Sequence, residues 1–235
     1  MSKEITSLKR YEYSIDNLFN ICKSNKLTFK DYKHWQDKND TILIDNYKQK
    51  SGNKFLRFLC LNQGAETIHH WNTFANKGLG CCIEYDKNLL LNSIVHSLKG
   101  KKSRKGFILY KEITYLKYNN IDNFYKQDRK YISNTILDDI LFTKRYPYSI
   151  ENEYRYVYIS KNKESEINVL FEPKMIKRIN IGGAVSTDIF ECIKEKIKTL
   201  NGYENVKITH SKIYEYKSWI DKIVANSKRL HQNGN

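Results

Sequence analysis

The apolar residues of this chain fall into short runs, some recurring in steps of two and others every three to four positions. Steps of two mark half-buried strands, and steps of three to four mark one face of a helix. "SLKRYEY" (7–13) reads as a strand. "SIDNLFNIC" then sets Ile15, Leu18, Phe19 and Cys22 at helical spacing behind Ser14, a favourable N-cap. "FLRFLCL" and "GLGCCIEYD" read as strands. The "TIHHWNTFA" between them, apolar at Ile68, Trp71 and Ala75, reads as a helical turn. "ILYKEITYLKY" (108–118) reads as a further strand.

From Ile121 to Lys144 the apolar positions Phe124, Tyr125, Tyr131, Ile132, Ile136, Leu137, Ile140 and Leu141 predict one long amphipathic helix, stopped before Pro147. Strands "EYRYVYIS", "INVLF" and "IKRINIGG" follow. A helix is expected from about Ile189 to Leu200, opened by Asp188 and Glu191 in a capping-box-like pattern and closed by Gly202. "NVKITHSKI" is the last expected strand. Helices and strands mix without a βαβ repeat, which predicts an α+β fold: a mainly antiparallel sheet, whole or split, flanked by helices. No Pro/Gly/Ser-rich linker divides the chain, so a single domain over 1–225 with a polar tail at 226–235 is expected.

Composition narrows the classes. No apolar run approaches the ~20 residues of a membrane span and "MSKEITSLKR" has no signal core, so a soluble cytoplasmic protein without a membrane partner is expected. The five cysteines include no C-x-x-C pair, and Cys60, His69, His70 and Cys82 match no standard zinc spacing, so neither disulfides nor a metal are expected. The net charge of +15 fits a polyanionic partner, but Lys, Asn, Ile and Tyr are enriched together, as an AT-rich coding bias produces. The densest basic stretch, Lys99, Lys101, Lys102, Arg104 and Lys105 in "LKGKKSRKG", is a loop. It reads equally as a nucleic-acid contact or a solvated connection.

"YPYSIENEYRYVYISK" (146–161) raises the chemical question, because Glu151, Glu153 and Arg155 interrupt an aromatic and β-branched strand. They read either as a catalytic pair with its partner or as ion pairs on a solvated strand edge. Two further readings stay open. Asp138 or Asp139 ahead of "EYR" loosely imitates a Mg²⁺-dependent nuclease, although Arg155 stands where such sites place Lys. Alternatively, the 18 Tyr interleaved with Lys would suit a non-catalytic module for single-stranded nucleic acid.

Several segments, in order, resemble a bacterial family of unknown function, the one numbered 2971. They are "FLRFLCLNQGAETIHHWNTFANKGLGCCIEYD", with W-x-x-F-A and then a Gly before C-C-I-E-Y-D; the opening "SLKRYEYSIDNLFNICKSNKLTFKDYKHWQDKND"; "YSIENEYRYV"; and "FEPKMIKRINIGGAVS". The layout is similar to the ADP-ribosyltransferase fold. That resemblance implies NAD⁺ as donor, Glu153 as the catalytic glutamate and Glu151 as orienter or base for the acceptor. It also implies Arg10 as a diphosphate clamp and Tyr11, Asn62 and Trp71 as cofactor-binding residues. The acceptor would be a nucleic acid or a protein, and a toxin or anti-phage role with a neutralising or sensing partner would follow.

Overall fold

The computed structural model describes residues 6–99, 106–126, 136–164 and 166–232. The first half runs β1 (Ser7–Glu12), α1 (Ile15–Ser24), β2 (Lys26–Thr28), α2 (Lys38–Ser51), β3 (Phe55–Asn62), α3 (Ile68–Phe74), β4 (Cys81–Asp86) and α4 (Lys87–Lys99). The second half runs β5 (Phe107–Glu112), β6 (Thr114–Leu116), α5 (Ile121–Lys126), α6 (Ile136–Asp139), β7 (Thr143–Arg145), β8 (Glu153–Ser160), β9 (Asn168–Leu170), β10 (Ile176–Ile181), α7 (Thr187–Lys198), β11 (Ile208–His210) and α8 (Lys217–Gln232). Seven strands form one continuous sheet in the order β11-β10-β4-β1-β3-β8-β5. All its pairings are antiparallel except β10 with β11. The fold is therefore α+β, with a mainly antiparallel sheet in one piece and helices around it.

Strand alternation assigns the two faces. One face joins Leu8, Leu61, Ile83, Tyr156 and Ile179 to Leu18 of α1, Leu90 of α4 and Ile193 of α7 in the larger core. The other face packs Leu56, Phe58, Val157 and Ile159 against Ile44 and Tyr47 of α2, while Trp71, Ala75 and Cys82 form a separate patch on the same side. Between those two apolar patches the sheet is polar, and the candidate site lies there.

Two glycine motifs far apart in sequence meet at the end of the sheet. Gly182 N–H donates to Gly80 O at 2.9 Å, and a Cβ on Gly182 would stand 2.0 Å from the Gly78 carbonyl oxygen. Gly182→Ala is expected to destabilise the protein by about 1–3 kcal/mol, because backbone rather than a flexible side chain would have to move. A urea midpoint unchanged from wild type would show that the contact yields more easily than this.

Four expectations need correction. The helix over 121–144 does not reach Lys144. α6 tightens into a 3₁₀ turn at Ile140–Phe142, and Thr143–Arg145 is a strand paired in parallel with β6. Thr143 Oγ1 donates to Asp139 O at 2.8 Å, a local bond that competes with helix continuation. "ILYKEITYLKY" breaks at Ile113, which donates its N–H to Glu153 O at 2.9 Å before the chain leaves for β7. Ser186, not Asp188, caps α7. The stretch expected as a tail at 226–235 is helical as far as Gln232, where α8 (217–232) ends.

Candidate active site

β3 and β8 pair with Asn62 opposite Glu153 and Cys60 opposite Arg155, and β1 sets Lys9 opposite Asn62. These side chains share the polar face of the sheet. β8 lies between β3 and β5 with both of its faces covered, so the solvated-edge reading of Glu153 and Arg155 does not hold.

Arg155 is fully buried, and all five of its N–H donors are engaged. Nε donates to Glu153 Oε1 at 2.7 Å and Nη2 to Glu153 Oε2 at 3.0 Å. Nη1 and Nη2 donate to the Asp40 oxygens at 3.2 and 2.9 Å, and Nη1 also reaches Leu141 O at 2.7 Å. Trp35 and Phe58 flank the guanidinium at 5.1 and 5.8 Å. With no donor left for a ligand, Arg155 orients Glu153.

Glu151 reaches the same place by a different route from the one expected. It ends a 3₁₀ turn (Tyr146–Glu151), and Asn152, left-handed at φ 42°, separates it from β8. The carboxylates converge through Lys144, whose Nζ lies 2.6 Å from Glu151 Oε2, 3.5 Å from Glu153 Oε2 and 3.8 Å from Asp40 Oδ2. Burial alone would lower the Lys144 pKa, but Glu153 and Glu151 together raise it. Burial pushes Glu151 up from the ordinary carboxylate value despite Lys144. Burial would raise Glu153 too, but Arg155 and then Lys144 hold it at about 2.

The opposed shifts have a stability signature. Glu153 titrates lower when folded than its ordinary 4.5, so its contribution is complete above about pH 4.5 and is lost as pH falls toward 2. Glu151, raised when folded, has the opposite sign: its contribution is present below its unfolded pKa and is lost as pH rises through the folded value. Urea midpoints measured from pH 5 down to pH 2 should fall less steeply in Glu153→Gln than in wild type. Equal slopes would mean that Glu153 carries no depressed pKa.

The remaining sequence candidates divide. Tyr11 faces the cleft, stacked on His70 at 5.1 Å and edge-on to Trp71 at 5.4 Å. Asn62 borders the cleft, but its amide holds the scaffold: Nδ2 donates to Glu151 O at 2.7 Å, and Oδ1 accepts from Gly64 N at 3.1 Å. Trp71 is fully buried behind the cleft. Its Nε1 donates to Glu66, which also accepts from Asn180 and Ser211 and so ties α3 to β10 and to the end of β11. It has no face to offer a cofactor. Arg10 borders the cleft, but alternation turns its side chain to the face of Leu8 and Glu12, where Nε pairs with Glu12 at 2.6 Å. Lys9 is the β1 cation on the site face. Lys101, Lys102, Arg104 and Lys105 lie outside the described residues, as does the side chain of Lys99.

Sequence reasoning missed Asp40, Lys144 and Lys9, and weighed His70 only as a metal ligand. His70 is a buried link: its Nε2 lies 3.0 Å from Asn62 Nδ2 and 3.1 Å from Glu151 O, its Nδ1 lies 2.7 Å from Thr67 Oγ1, and burial lowers its pKa. Asp138 and Asp139 are engaged elsewhere, by Tyr47 and Lys111 respectively. Among the described residues no group of three or more His, Cys, Asp or Glu is placed to hold a metal.

Together the site residues floor a cavity of about 560 Å³, walled by the rings of Tyr11, Trp35, Phe74 and Tyr148. A family model described as a protein of unknown function (DUF2971) matches residues 70–156, from His70 through the E-x-E-Y-R segment. No curated protein sequence matches the chain. Among solved structures, DarT from Thermus sp. 2.9 in complex with NAD⁺ is similar over 92% of this chain and 100% of that chain, at 10% identity and a TM-score of 0.42.

Proposed function

We propose that the chain is an NAD⁺-dependent ADP-ribosyltransferase, or an NAD⁺ glycohydrolase where water is the acceptor. One observation supports this most directly: two carboxylates with opposite electrostatics meet on one ammonium at the floor of an aromatic-walled cavity. A pair of carboxyl groups driven apart in pKa divides the work of charge stabilisation and proton transfer.

The residues fit such a donor. The cavity falls within the ~300–1,000 Å³ of small-molecule sites. Its rings offer flat apolar walls for a base, and Lys9 and Lys30 border it as cations for a diphosphate. NAD⁺ would supply a nicotinamide–ribose bond whose cleavage develops positive charge on the sugar. Glu153, kept ionised by Arg155, places a fixed negative charge there. Glu151, poised higher, is suited to accept the proton of the attacking group. Lys144 bridges the two carboxylates as their shared ion-pair partner.

The acceptor proposed first is a nucleic acid, because exposed Tyr118 and Tyr146 lie on the surface with Lys117 stacked over the Tyr146 ring at 4.6 Å. A protein acceptor is the alternative. A cytoplasmic toxin or anti-phage effector, restrained by a neutralising or sensing partner, would suit an enzyme that consumes NAD⁺. The test is release of nicotinamide from NAD⁺, alone and with DNA, RNA or lysate. Release that depends on Glu153 supports the reading, and the fraction that stimulates it identifies the acceptor class. No release, together with nucleic-acid binding indifferent to Glu153, would favour the non-catalytic module instead.

A further inference from the structure

α8 leaves an apolar side bare. Tyr216, Trp219, Ile220, Ile223 and Val224 recur at the i, i+3, i+4, i+7, i+8 spacing of one helix face, yet Trp219 is 61% and Ile223 54% exposed. The root of the helix is fixed: Tyr214 donates its hydroxyl proton to Asn72 Oδ1 at 2.9 Å, and Ile213 packs on the Trp71 patch. Exposed apolar surface of this kind marks a contact made with something else.

Charge selects the occupant. The α8 sequence carries Lys217, Lys222, Lys228 and Arg229 against one acid, Asp221. At 100° per residue Lys217 borders one edge of the apolar arc and Lys222 lies beyond the other. A second copy would bring like charges together, on a chain whose net charge is already +15. Nucleic acid offers stacking to a Trp but nothing to Ile220, Ile223 or Val224. An anionic lipid surface satisfies both halves of the pattern, taking the apolar arc at the acyl boundary and the flanking cations at the phosphates.

We propose that α8 is an interfacial helix that lays Trp219, Ile220, Ile223 and Val224 into the surface of an anionic bilayer, docking the domain there without crossing it. No helix among the described residues is long and apolar enough to span a membrane, and the expectation of no membrane partner rests on spans alone, whereas the proposed contact is with the surface.

The full chain is to be sedimented with vesicles of phosphatidylcholine alone and of phosphatidylcholine mixed with phosphatidylglycerol. Binding is expected to the anionic vesicles, weakened by salt, with tryptophan emission shifting to the blue. Trp71 is fully buried and Trp35 packs on a core, so that shift reports Trp219. Ile223→Asp should weaken binding about tenfold or more by placing a charge in the apolar arc, with Tm unchanged because the side chain touches no core. Trp219→Phe should keep the binding and lose the shift. The proposal is overturned if anionic vesicles do not bind the protein, or if Ile223→Asp binds them as well as wild type, which would place the attachment elsewhere on the basic surface. An oligomer in light scattering that Ile223→Asp dissociates would overturn it too, by giving the face to a second copy.

Discussion

Glutamine at position 153 is expected to lower nicotinamide release by about 10²–10³-fold, the scale of losing one preorganised electrostatic contact to a developing charge. The substitution keeps the size of the side chain and one acceptor oxygen for Arg155, but removes the negative charge that Arg155 and Lys144 hold ionised. Glu151→Gln should behave differently. If Glu151 takes the acceptor's proton, transfer should fall more than hydrolysis, and the acid limb of the kcat/KM profile should disappear. Near-wild-type release by Glu153→Gln, in protein whose circular dichroism is unchanged, would remove Glu153 from the chemistry and the transferase reading with it.

Arg155→Met should cost about 3–5 kcal/mol of stability, the cost of leaving buried charges without their partner. In the folded protein Arg155 and Lys144 face Asp40, Glu151 and Glu153. Without Arg155, buried Asp40 and Glu153 and part-buried Glu151 share one ammonium. Arg155→Lys should rescue only partly, since three donors on a flexible stem cannot replace five in a planar fork. Replacing Asp40 by Asn in the Arg155→Met background should recover part of the loss, because it removes one of the orphaned charges. Urea unfolding of the single and paired variants measures these differences. A loss below about 1 kcal/mol for Arg155→Met would mean that the cluster is solvated rather than buried.

What the sequence revealed depended on whether a residue's role was local. The strands around "FLRFLCL", "CCIEYD" and "EYRYVYIS" declare themselves through their own apolar runs, and Ser14 caps α1 through Asn17 N–H as its position predicts. Glu151 and Glu153 drew attention because charges inside an aromatic strand are conspicuous. Lys144 was hidden, since 140 and 141 continue a helical apolar rhythm and only pairing with β6 reveals a strand. Asp40 sits on α2 in a run of polar residues, and its burial depends on Arg155, 115 positions away. The resemblance singles out Arg10 and passes over Lys9, its neighbour on the same strand. Which of them faces the cleft follows from the register with Asn62, which no local pattern encodes.

The sheet order also sets when this chemistry can first exist. The carboxylate cluster joins α2 to β8, and β8 must insert between β3 and β5, with Asn62 and Glu151 held together across 89 residues of chain. Such long-range closures are slow steps in folding. A nascent chain emerging from the ribosome therefore carries Tyr11, Trp35 and Phe74 of the cleft wall well before Tyr148, Glu151, Glu153 and Arg155 have been synthesised. The two carboxylates meet Lys144 only once β8 has paired with β3, so the charged floor of the cleft is complete only in the finished domain.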